Sequence, residues 1–447
     1  MTERLFGTDG MRGVAGEFPL NEPTVYQLGK SLSRILRREN GHSPRIIIGR
    51  DTRESGPWLE RAVAAGVIAE GGTAESAGVT TTPGVAFLAK RFGFDSGIVI
   101  SASHNPFADN GIKVFAPSGR KLEDRFEREI EAELAGEPSD LPPANFEINP
   151  SAEYNGSYLQ YLKGEIAKGL NLSGTRLVID CANGASSHIA PELLASLGAE
   201  VITVCADPNG QNINADCGAL YTEALQKKVV EARAQLGVAF DGDADRAMFV
   251  DDQGQLRDGD YILYILGKEF KSRSELSGSR IVATVMSNIG LELALKELGI
   301  ELDRTSVGDK YVLEELLRTE GTIGGEQSGH IIFPRISLAG DGMITALQVL
   351  RVITERKKSL RDLSEGMHKY PQILINVKVS RKAPFESIPQ IRHAAEQLEA
   401  KLLGRGRLLL RYSGTENLAR VMIEGENQEE VNEQAEGLAD VIRNVLG

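Results

Sequence analysis

Three carboxylates fall within one short turn between two apolar segments. The turn, Asp241-Gly-Asp-Ala-Asp-Arg246, has an aspartate at every second position. Because Asp241, Asp243 and Asp245 would repel one another, the spacing predicts a bound cation, and an all-oxygen ligand set suits a hard ion such as Mg²⁺. An EF-hand is a poor alternative, since its sixth position should be Gly and is Arg246, and its twelfth should be Glu and is Asp252. A solvated acidic turn without an ion is the remaining alternative.

A second polar run, Ser101-Ala-Ser-His-Asn-Pro106, directly follows the apolar segment 97–100. A serine at the end of a buried strand, beside His104 and with Lys113 nearby, is placed as a nucleophile or phosphate carrier would be. Ser, Asn and Pro are also ordinary turn formers, so the run taken alone is equally compatible with a structural turn.

Two further loops could bind a sugar phosphate. Gly324-Gly-Glu-Gln-Ser-Gly-His330 sets an acid, an amide, a hydroxyl and an imidazole among glycines, which suits recognition of sugar hydroxyls, with His330 as a candidate for proton transfer. Arg411-Tyr-Ser-Gly-Thr415, followed by Arg420, offers guanidinium, hydroxyl and backbone donors to a dianion and predicts a phosphate clamp. Each loop could also be structural, because a single arginine is more often part of a surface ion pair.

The elements that must position these loops follow one pattern that occurs three times. Apolar segments that begin at Arg45, Arg176 and Arg280 each precede a polar turn, a helical stretch, a glycine and a second extended segment. This alternation is expected of a parallel sheet covered by helices, although short apolar runs recur in any α/β protein. From position 370 the order becomes βαββα. The sequence therefore predicts an α/β fold with three related α/β domains, whose sheets are mixed and mainly parallel, plus a smaller carboxy-terminal α+β domain. The three α/β domains are expected at residues 1–150, 151–256 and 257–369, and the α+β domain at residues 370–447.

Composition limits the class of protein. At roughly 150 residues per domain, 447 residues correspond to three or four domains. With 50 Lys+Arg against 63 Asp+Glu the net charge is −13, which argues against a principal role in binding nucleic acid or an anionic membrane. Cys181, Cys205 and Cys217 are too few and too far apart for a disulfide scaffold or a Cys-rich zinc module, and are expected to be small buried residues near strands. Because no signal peptide or apolar run of ~18 residues is visible, a cytoplasmic location is expected.

In this order and at these separations the four loops resemble the α-D-phosphohexomutase superfamily, and the resemblance covers essentially the whole chain. Within the superfamily the chain is most similar to the bacterial branch that acts on glucosamine phosphates, through Phe6-Gly-Thr-Asp-Gly-Met-Arg-Gly13, Val285-Met-Ser-Asn-Ile-Gly290 and Gln327. Branches that act on glucose or mannose phosphates more often carry Met in place of Gln327 and are the second hypothesis. A non-catalytic sugar-phosphate sensor is the third.

The resemblance implies that the protein interconverts glucosamine 6-phosphate and glucosamine 1-phosphate through a phosphoserine enzyme and a glucosamine 1,6-bisphosphate intermediate. It implies Mg²⁺, phosphorylated Ser103 and a sugar 1,6-bisphosphate activator as cofactors. The implied partner is a small-molecule sugar phosphate, and no nucleic acid or membrane partner is expected. The assembly can include a homodimer. The implied site residues are Ser103, His104, Lys113, Arg12, Arg246 and His330 for catalysis; Glu326, Ser328, Arg411, Ser413, Gly414, Thr415 and Arg420 for substrate binding; and Asp241, Asp243 and Asp245 with an oxygen of phosphorylated Ser103 for the metal.

Overall fold

The computed structural model describes residues 4–7, 9–136, 138, 140–413 and 417–447. Its strands form four sheets that follow one another along the chain, three of them mixed and the last wholly antiparallel. Helices accompany every sheet, which confirms the predicted class of three related α/β units plus a smaller carboxy-terminal α+β unit. The bounds between the four domains stay a prediction.

The first α/β unit is a six-stranded sheet with helices on both faces. Its elements are β1 (Phe6–Gly7), β2 (Gly10–Val14), α1 (Glu22–Asn40), β3 (Arg45–Arg50), α2 (Gly56–Ala69), β4 (Thr73–Val79), α3 (Thr82–Arg91), β5 (Ser96–Ile100), β6 (Asp109–Phe115) and α4 (Asp124–Leu134). The strand order is β1-β2-β6-β5-β3-β4, in which β3 is parallel to β4 and β5 and the other pairs are antiparallel. Side chains alternate along β3, so that Ile46 and Ile48 pack with α1 and α2 while Ile47 packs with α3. Burial on both faces explains why β3 reads as an unbroken apolar run.

The second unit repeats this arrangement with five strands. Its elements are α5 (Ala152–Tyr161), a π-helical turn (Leu162–Ile166), β7 (Arg176–Asp180), α6 (Ser186–Ser196), β8 (Glu200–Val204), a 3₁₀ turn (Gly218–Leu220), α7 (Glu223–Ala232), β9 (Leu236–Phe240), β10 (Ala247–Asp251) and β11 (Leu256–Arg257). The order is β11-β10-β9-β7-β8, with β7 parallel to β8 and β9 and with β10 antiparallel to both of its neighbours.

The third unit has four strands and shares its core with the second. Its elements are α8 (Gly259–Ser272), a 3₁₀ turn (Ser277–Ser279), β12 (Arg280–Thr284), α9 (Ile289–Glu297), β13 (Glu301–Thr305), α10 (Asp309–Arg318), β14 (Gly324–Gly325), β15 (Ile331–Ile332), α11 (Gly342–Arg356) and α12 (Leu360–Leu363). In the order β13-β12-β14-β15, β12 is parallel to β13 and β14, and β15 is antiparallel to β14. One hydrophobic cluster runs from Tyr158 to Met367, so these two units pack as one body.

The fourth unit has the predicted βαββα order. Its elements are β16 (Gln372–Lys378), a 3₁₀ turn (Phe385–Ser387), α13 (Pro389–Leu402), β17 (Gly406–Tyr412), β18 (Leu418–Gly425) and α14 (Gln428–Leu446). The central strand β18 is antiparallel to β16 and β17. Arg407, which pairs with the buried Glu424 at 2.8 Å, also donates to the carbonyl of Ser287 at 3.0 Å and thereby ties this unit to the third.

Three of the predicted loops occupy the same place in the three repeats. In each α/β unit the third strand of the parallel set is followed by an antiparallel strand beside it, in the pairs β5 and β6, β9 and β10, and β14 and β15. The serine, aspartate and glycine-rich loops are the connections within these three pairs. They therefore leave the carboxyl ends of equivalent strands, which is where open α/β sheets bind ligands.

Across the described part of the chain, no helix combines the length and the apolar character that crossing a membrane requires.

Candidate active site

Ser103 sits in a tightly held turn after β5. The side chain is 1% exposed, and its φ of 52° lies in the left-handed region that a non-glycine residue adopts only when its surroundings hold it there. Its N–H donates to Ser101 Oγ at 2.9 Å, and its carbonyl accepts a hydrogen bond from Asn214 Nδ2 at 2.8 Å. Ser101 thus positions the turn, while the hydroxyl of Ser103 stays available for chemistry.

The acidic turn meets the serine turn at Gly242. A Cβ at this position would lie 2.5 Å from the carbonyl oxygen of Ser103, so only glycine permits the approach. As a result Ser103 Oγ donates a hydrogen bond of 2.5 Å to Asp241 Oδ2. The serine hydroxyl and the acidic turn, which are 138 positions apart in the sequence, form one site.

The three aspartates of this turn are placed to hold a cation. Asp241, Asp243 and Asp245 are at most 8% exposed, and one oxygen of each lies within 4.8 Å of the others. Burial raises the pKa of Asp241, and the neighbouring carboxylates raise it further. Asp243 Oδ1 is buried and accepts no hydrogen bond from any described residue. A buried carboxylate oxygen without a donor fits a hard cation such as Mg²⁺.

Lys113 on β6 neutralises part of this negative charge. Its Nζ lies 2.8 Å from Asp243 Oδ2 and 3.6 Å from Asp245 Oδ2, and the side chain is 3% exposed. Burial alone would lower the pKa of Lys113, but the two carboxylates raise it above its usual value. The ammonium group is therefore protonated at neutral pH and brings a positive charge into the site.

Two histidines near the serine differ in protonation state at neutral pH. Burial would lower the pKa of His330, but Asp245, 3.5 Å from its Nδ1, raises the pKa to about 9, so this imidazole is a cation at neutral pH. His104 Nδ1 lies 3.3 Å from Ser103 Oγ. Burial and the nearby Arg246 lower the pKa of His104 to about 4, so at neutral pH it is uncharged and can accept a proton.

Two arginines extend the positive charge around the serine. Arg12 Nη1 donates to the carbonyl of Ala102 at 3.5 Å. Arg246 Nε lies 3.7 Å from Asp245 Oδ1. Burial alone would lower the pKa of Arg246, but the Asp245 carboxylate raises the pKa above its usual value. Both arginines line a cavity that Ser103 also lines, so they bring positive charge to its surroundings.

Several of these side chains share one cavity of about 140 Å³, whereas Asp241, Asp243 and His104 do not line it. Of the predicted residues, those that line it are Arg12, Ser103, Lys113, Asp245, Arg246, Glu326 and His330. A cavity of about 450 Å³ adjoins it and is also lined by Lys113, Asp245 and His330. Ser328 is partly exposed and does not line the smaller cavity. None of the described residues of the fourth unit lines the smaller cavity either.

The predicted phosphate clamp is partly within the described residues. Arg411 and Arg420 face each other directly across β17 and β18, and Arg420 Nη2 donates to Ser413 Oγ at 3.4 Å. Burial lowers the pKa of Arg411, and the Arg420 cation lowers it further. The two arginines and Ser413 are thus brought together at one end of the fourth sheet. Gly414 and Thr415 lie outside the described residues.

The sequence analysis did not predict a pair of salt bridges that links the first and third units. Lys121 Nζ lies 3.2 Å from Asp9 Oδ1 and 2.8 Å from Asp309 Oδ1, and both carboxylates line the 140 Å³ cavity. Asp9 stands in the opening motif 6–13, which could have drawn attention to it. No local pattern marks Lys121, because its partners are 112 and 188 positions away.

Two supporting residues were also missed. Thr82 Oγ1 donates to Asp243 Oδ2 at 2.6 Å, so one carboxylate of the acidic turn is oriented from the first unit. Asn214 orients the serine turn from the second unit. Both act through contacts between units, for which no sequence signal exists.

Four family models match the chain in the order of the four units. They describe the phosphoglucomutase/phosphomannomutase alpha/beta/alpha domains I, II and III and the C-terminal domain, and they match residues 3–140, 156–254, 258–370 and 374–441.

Known proteins resemble the chain over its full length. A relative from Solibacter usitatus (strain Ellin6076), named phosphoglucosamine mutase, is 47% identical over 448 residues, which are 100% of both chains. The solved phosphoglucomutase/phosphomannomutase family protein from Burkholderia thailandensis has a TM-score of 0.80 at 23% identity and covers 99% of this chain and 98% of its own. N-acetylphosphoglucosamine mutase from Aspergillus fumigatus, solved in complex with GlcNAc-6P and magnesium, has a TM-score of 0.64 at 20% identity over 99% of this chain and 96% of its own. At such identities the two structures show the fold alone.

Since the family models span nearly all of the chain and a relative named phosphoglucosamine mutase matches it from end to end, the chain belongs to the phosphoglucomutase/phosphomannomutase family of isomerases, on the phosphoglucosamine mutase branch.

Proposed function

We propose that this enzyme interconverts glucosamine 6-phosphate and glucosamine 1-phosphate in the cytoplasm and so supplies UDP-N-acetylglucosamine synthesis. The observation that carries the proposal is the placement of Ser103 Oγ, 2.5 Å from the acidic turn and in one cavity with several cationic side chains. A phosphoryl group on this oxygen would meet positive charge on more than one side. The names of the relatives support the amino sugar as the substrate.

The proposed reaction transfers a phosphoryl group twice. In the first transfer the bond between phosphorus and Ser103 Oγ breaks while a bond forms from the free sugar hydroxyl to phosphorus, and the proton that the hydroxyl loses is balanced by the proton that Ser103 Oγ gains. The resulting glucosamine 1,6-bisphosphate turns over, and its other phosphoryl group returns to Ser103. Atoms balance over the cycle, and a sugar 1,6-bisphosphate acts as activator because it can phosphorylate a free Ser103. Such transfers depend on positioning and charge neutralisation, which the cavity provides.

The proposed metal ligands are Asp241, Asp243 and Asp245 with an oxygen of phosphorylated Ser103. The buried Asp243 Oδ1 without a donor supports this set. When bound, Mg²⁺ would neutralise charge on the phosphoryl oxygens. The solved Aspergillus fumigatus complexes, one with GlcNAc-6P and magnesium and one of a variant with glucose 1,6-bisphosphate, support the same cofactors here.

The proton-transfer groups that we propose are Lys113 and His330. Both are protonated at neutral pH because carboxylates raise their pKa values, so each is ready to donate to a departing oxygen. The uncharged His104 is the neighbour that can accept the proton of a free Ser103 hydroxyl. Arg12 and Arg246 balance the charge of the phosphoserine.

The remaining predicted residues would hold the substrate. We propose that Glu326 and Ser328 bind sugar hydroxyls, because their loop leaves the third sheet at the position equivalent to the serine loop. The residues proposed to hold the phosphate that does not react are Arg411, Ser413, Gly414, Thr415 and Arg420. Since either phosphate of the bisphosphate must fit, this clamp should recognise charge and shape only.

Replacement of Arg411 by methionine is expected to raise the KM for the sugar phosphate by roughly 10- to 100-fold, the effect of losing one or two charge-assisted hydrogen bonds. The kcat should change less, because this phosphate does not react. Steady-state kinetics would measure both constants. Arg405→Met, an exposed arginine of the same unit, is the matched control and should keep the wild-type KM. An unchanged KM in Arg411→Met would remove Arg411 from the clamp.

The test of the function is isomerisation of glucosamine 6-phosphate compared with glucose and mannose phosphates, each with Mg²⁺ and a trace of the matching bisphosphate. We expect a kcat/KM for the glucosamine phosphate at least about tenfold above the others, which is a difference of about 1.4 kcal/mol in transition-state binding. A preference for glucose or mannose would keep the mechanism and change the substrate. Binding without any turnover by the phosphorylated enzyme would instead indicate a sensor.

A further inference from the structure

Two cysteines meet at the carboxyl end of the second sheet, outside the acidic turn. Cys205 directly follows β8, and Cys217 directly precedes the 3₁₀ turn. Their Sγ atoms and a carboxylate oxygen of Asp180 all lie within 4.8 Å of one another. Asp180 Oδ2 accepts the N–H of Gly218 at 2.9 Å, which fixes the segment of Cys217 beside the end of β7. Neither thiol has a role in the proposed phosphoryl transfer.

The carboxylate of this cluster has a structural role. Asp180 Oδ1 accepts the N–H of Ala182 and Oδ2 that of Gly218, both at 2.9 Å. With both oxygens engaged, only two thiols remain, which is fewer ligands than a zinc site uses. The cluster is therefore better suited to thiol chemistry than to holding a metal.

The two thiols differ in a way that favours oxidation. Cys205 is partly exposed, contrary to the expectation that all three cysteines are buried, whereas Cys217 is 1% exposed. The two sulfurs lie within 4.8 Å of each other, and hydrogen bonding between them lowers the pKa of Cys205, whereas this bonding and burial raise the pKa of Cys217. An accessible thiol with thiolate character beside a second thiol is typical of a pair in which one sulfur reacts with the oxidant and the other closes the disulfide.

The segment between these cysteines touches the serine turn. Asn214 Nδ2 donates to the carbonyls of Ser103 at 2.8 Å and of Asn105 at 3.0 Å. To form a disulfide, the two sulfurs, which lie within 4.8 Å of each other, must approach to about 2 Å, and Asn214 lies on the segment that joins them. A shift of this segment would be passed directly to the turn that holds Ser103.

We propose that Cys205 and Cys217 form a reversible disulfide when the enzyme meets a peroxide, and that this disulfide lowers turnover by displacing the serine turn. The Cys205 thiolate attacks a peroxide oxygen, the O–O bond breaks, and Cys205 becomes a sulfenic acid while the other oxygen leaves as hydroxide and is protonated to water. The Cys217 sulfur then attacks the sulfenic sulfur, the S–S bond forms, and a second water departs with the Cys217 proton. Two thiols are oxidised and one peroxide is reduced to two waters. A dithiol reductant reverses the step.

The test exposes the full-length enzyme to hydrogen peroxide and counts thiols with a maleimide in denaturant. In the wild type the count should fall from the three cysteines of the chain to one, with the new disulfide mapped to the peptides of Cys205 and Cys217. Turnover should fall by several-fold to about 100-fold, the range expected when a reacting group is displaced by about 1 Å, and dithiothreitol should restore it.

Cys181→Ala is the matched control, because this buried thiol is outside the pair, and it should form the disulfide as the wild type does. Cys217→Ser should form none. If that variant does not fold, Cys205→Ser alters a partly exposed position and serves in its place.

Three thiols remaining after treatment, or a disulfide that includes Cys181, would overturn the proposed pair. A disulfide between the pair with unchanged turnover would overturn its effect on the serine turn. The thiol count needs no substrate, so it is independent of the proposed function.

Discussion

Replacing Ser103 with alanine is expected to reduce isomerisation by about 10⁴-fold or more, the range seen when a group that forms the covalent intermediate is removed. The physical reason is that Ser103 Oγ contacts the acidic turn and that, among the described residues of the serine turn, Ser103 is the one that lines the cavity. Initial rates on glucosamine 6-phosphate with Mg²⁺ and glucosamine 1,6-bisphosphate would measure the loss. Intact-protein mass should show in parallel that the variant takes up no phosphoryl group from the bisphosphate.

Ser43→Ala is the matched control for this substitution. Ser43 is an exposed serine of the same α/β unit, just before β3, and its removal should leave rate and phosphorylation unchanged. The melting temperature of Ser103→Ala should stay near that of the wild type, because the turn is held mainly through the backbone N–H and carbonyl of residue 103. A folded Ser103→Ala enzyme with a near-normal rate would contradict the phosphoserine mechanism.

Removal of Mg²⁺ by EDTA is expected to stop turnover and to lower the melting temperature. The three aspartates are buried together, so without a cation they repel one another. A ligand that binds only the folded state stabilises it by about 2.7 kcal/mol when present at about 100 times its Kd. Differential scanning fluorimetry with increasing Mg²⁺ would show this stabilisation as a rising melting temperature, independently of any substrate.

Asp241→Asn is the sharpest variant for the metal site, because its amide oxygen can still accept the Arg246 N–H, while the charge and the second carboxylate oxygen, which accepts from Ser103 Oγ, are lost. We expect its Mg²⁺-dependent rise in melting temperature to shrink strongly and its turnover to fall by about 10²-fold or more, since a metal contributes several kcal/mol to such transition states. Asp252→Asn, on the turn after β10, is the control and should respond to Mg²⁺ as the wild type does. An undiminished Mg²⁺ response in Asp241→Asn would place the cation elsewhere.

The repeat explains how one chain assembles this site. The connections β5 to β6, β9 to β10 and β14 to β15 are the same turn in three related units, and they carry the serine, the acidic turn and the glycine-rich loop respectively. Three equivalent positions thus carry three different sets of polar side chains. Because residues of all three loops line one cavity, the proposed carrier, metal site and sugar-binding loop would act on the same phosphoryl group.

Much of the fold was predictable because its signals are local. The strands at Arg45, Arg176 and Arg280 are marked by apolar runs that burial on both faces of a sheet requires, and glycines mark the ends of the helices. The change to βαββα after position 370 is equally local. The charge repulsion within Asp241–Asp245 is also written into adjacent positions, so the sequence by itself indicated a cation.

Tertiary structure alone decided which of these groups meet and in which charge state. Ser103 and Asp241 touch only because Gly242 admits the serine turn, and Asn214, Thr82 and Lys121 act on residues more than 100 positions away. The charge of His330 likewise depends on Asp245, which reaches it from another unit. A sequence specifies residue types and local periodicity, whereas contact distances and burial, which set hydrogen bonds and pKa values, arise only when separate units pack together.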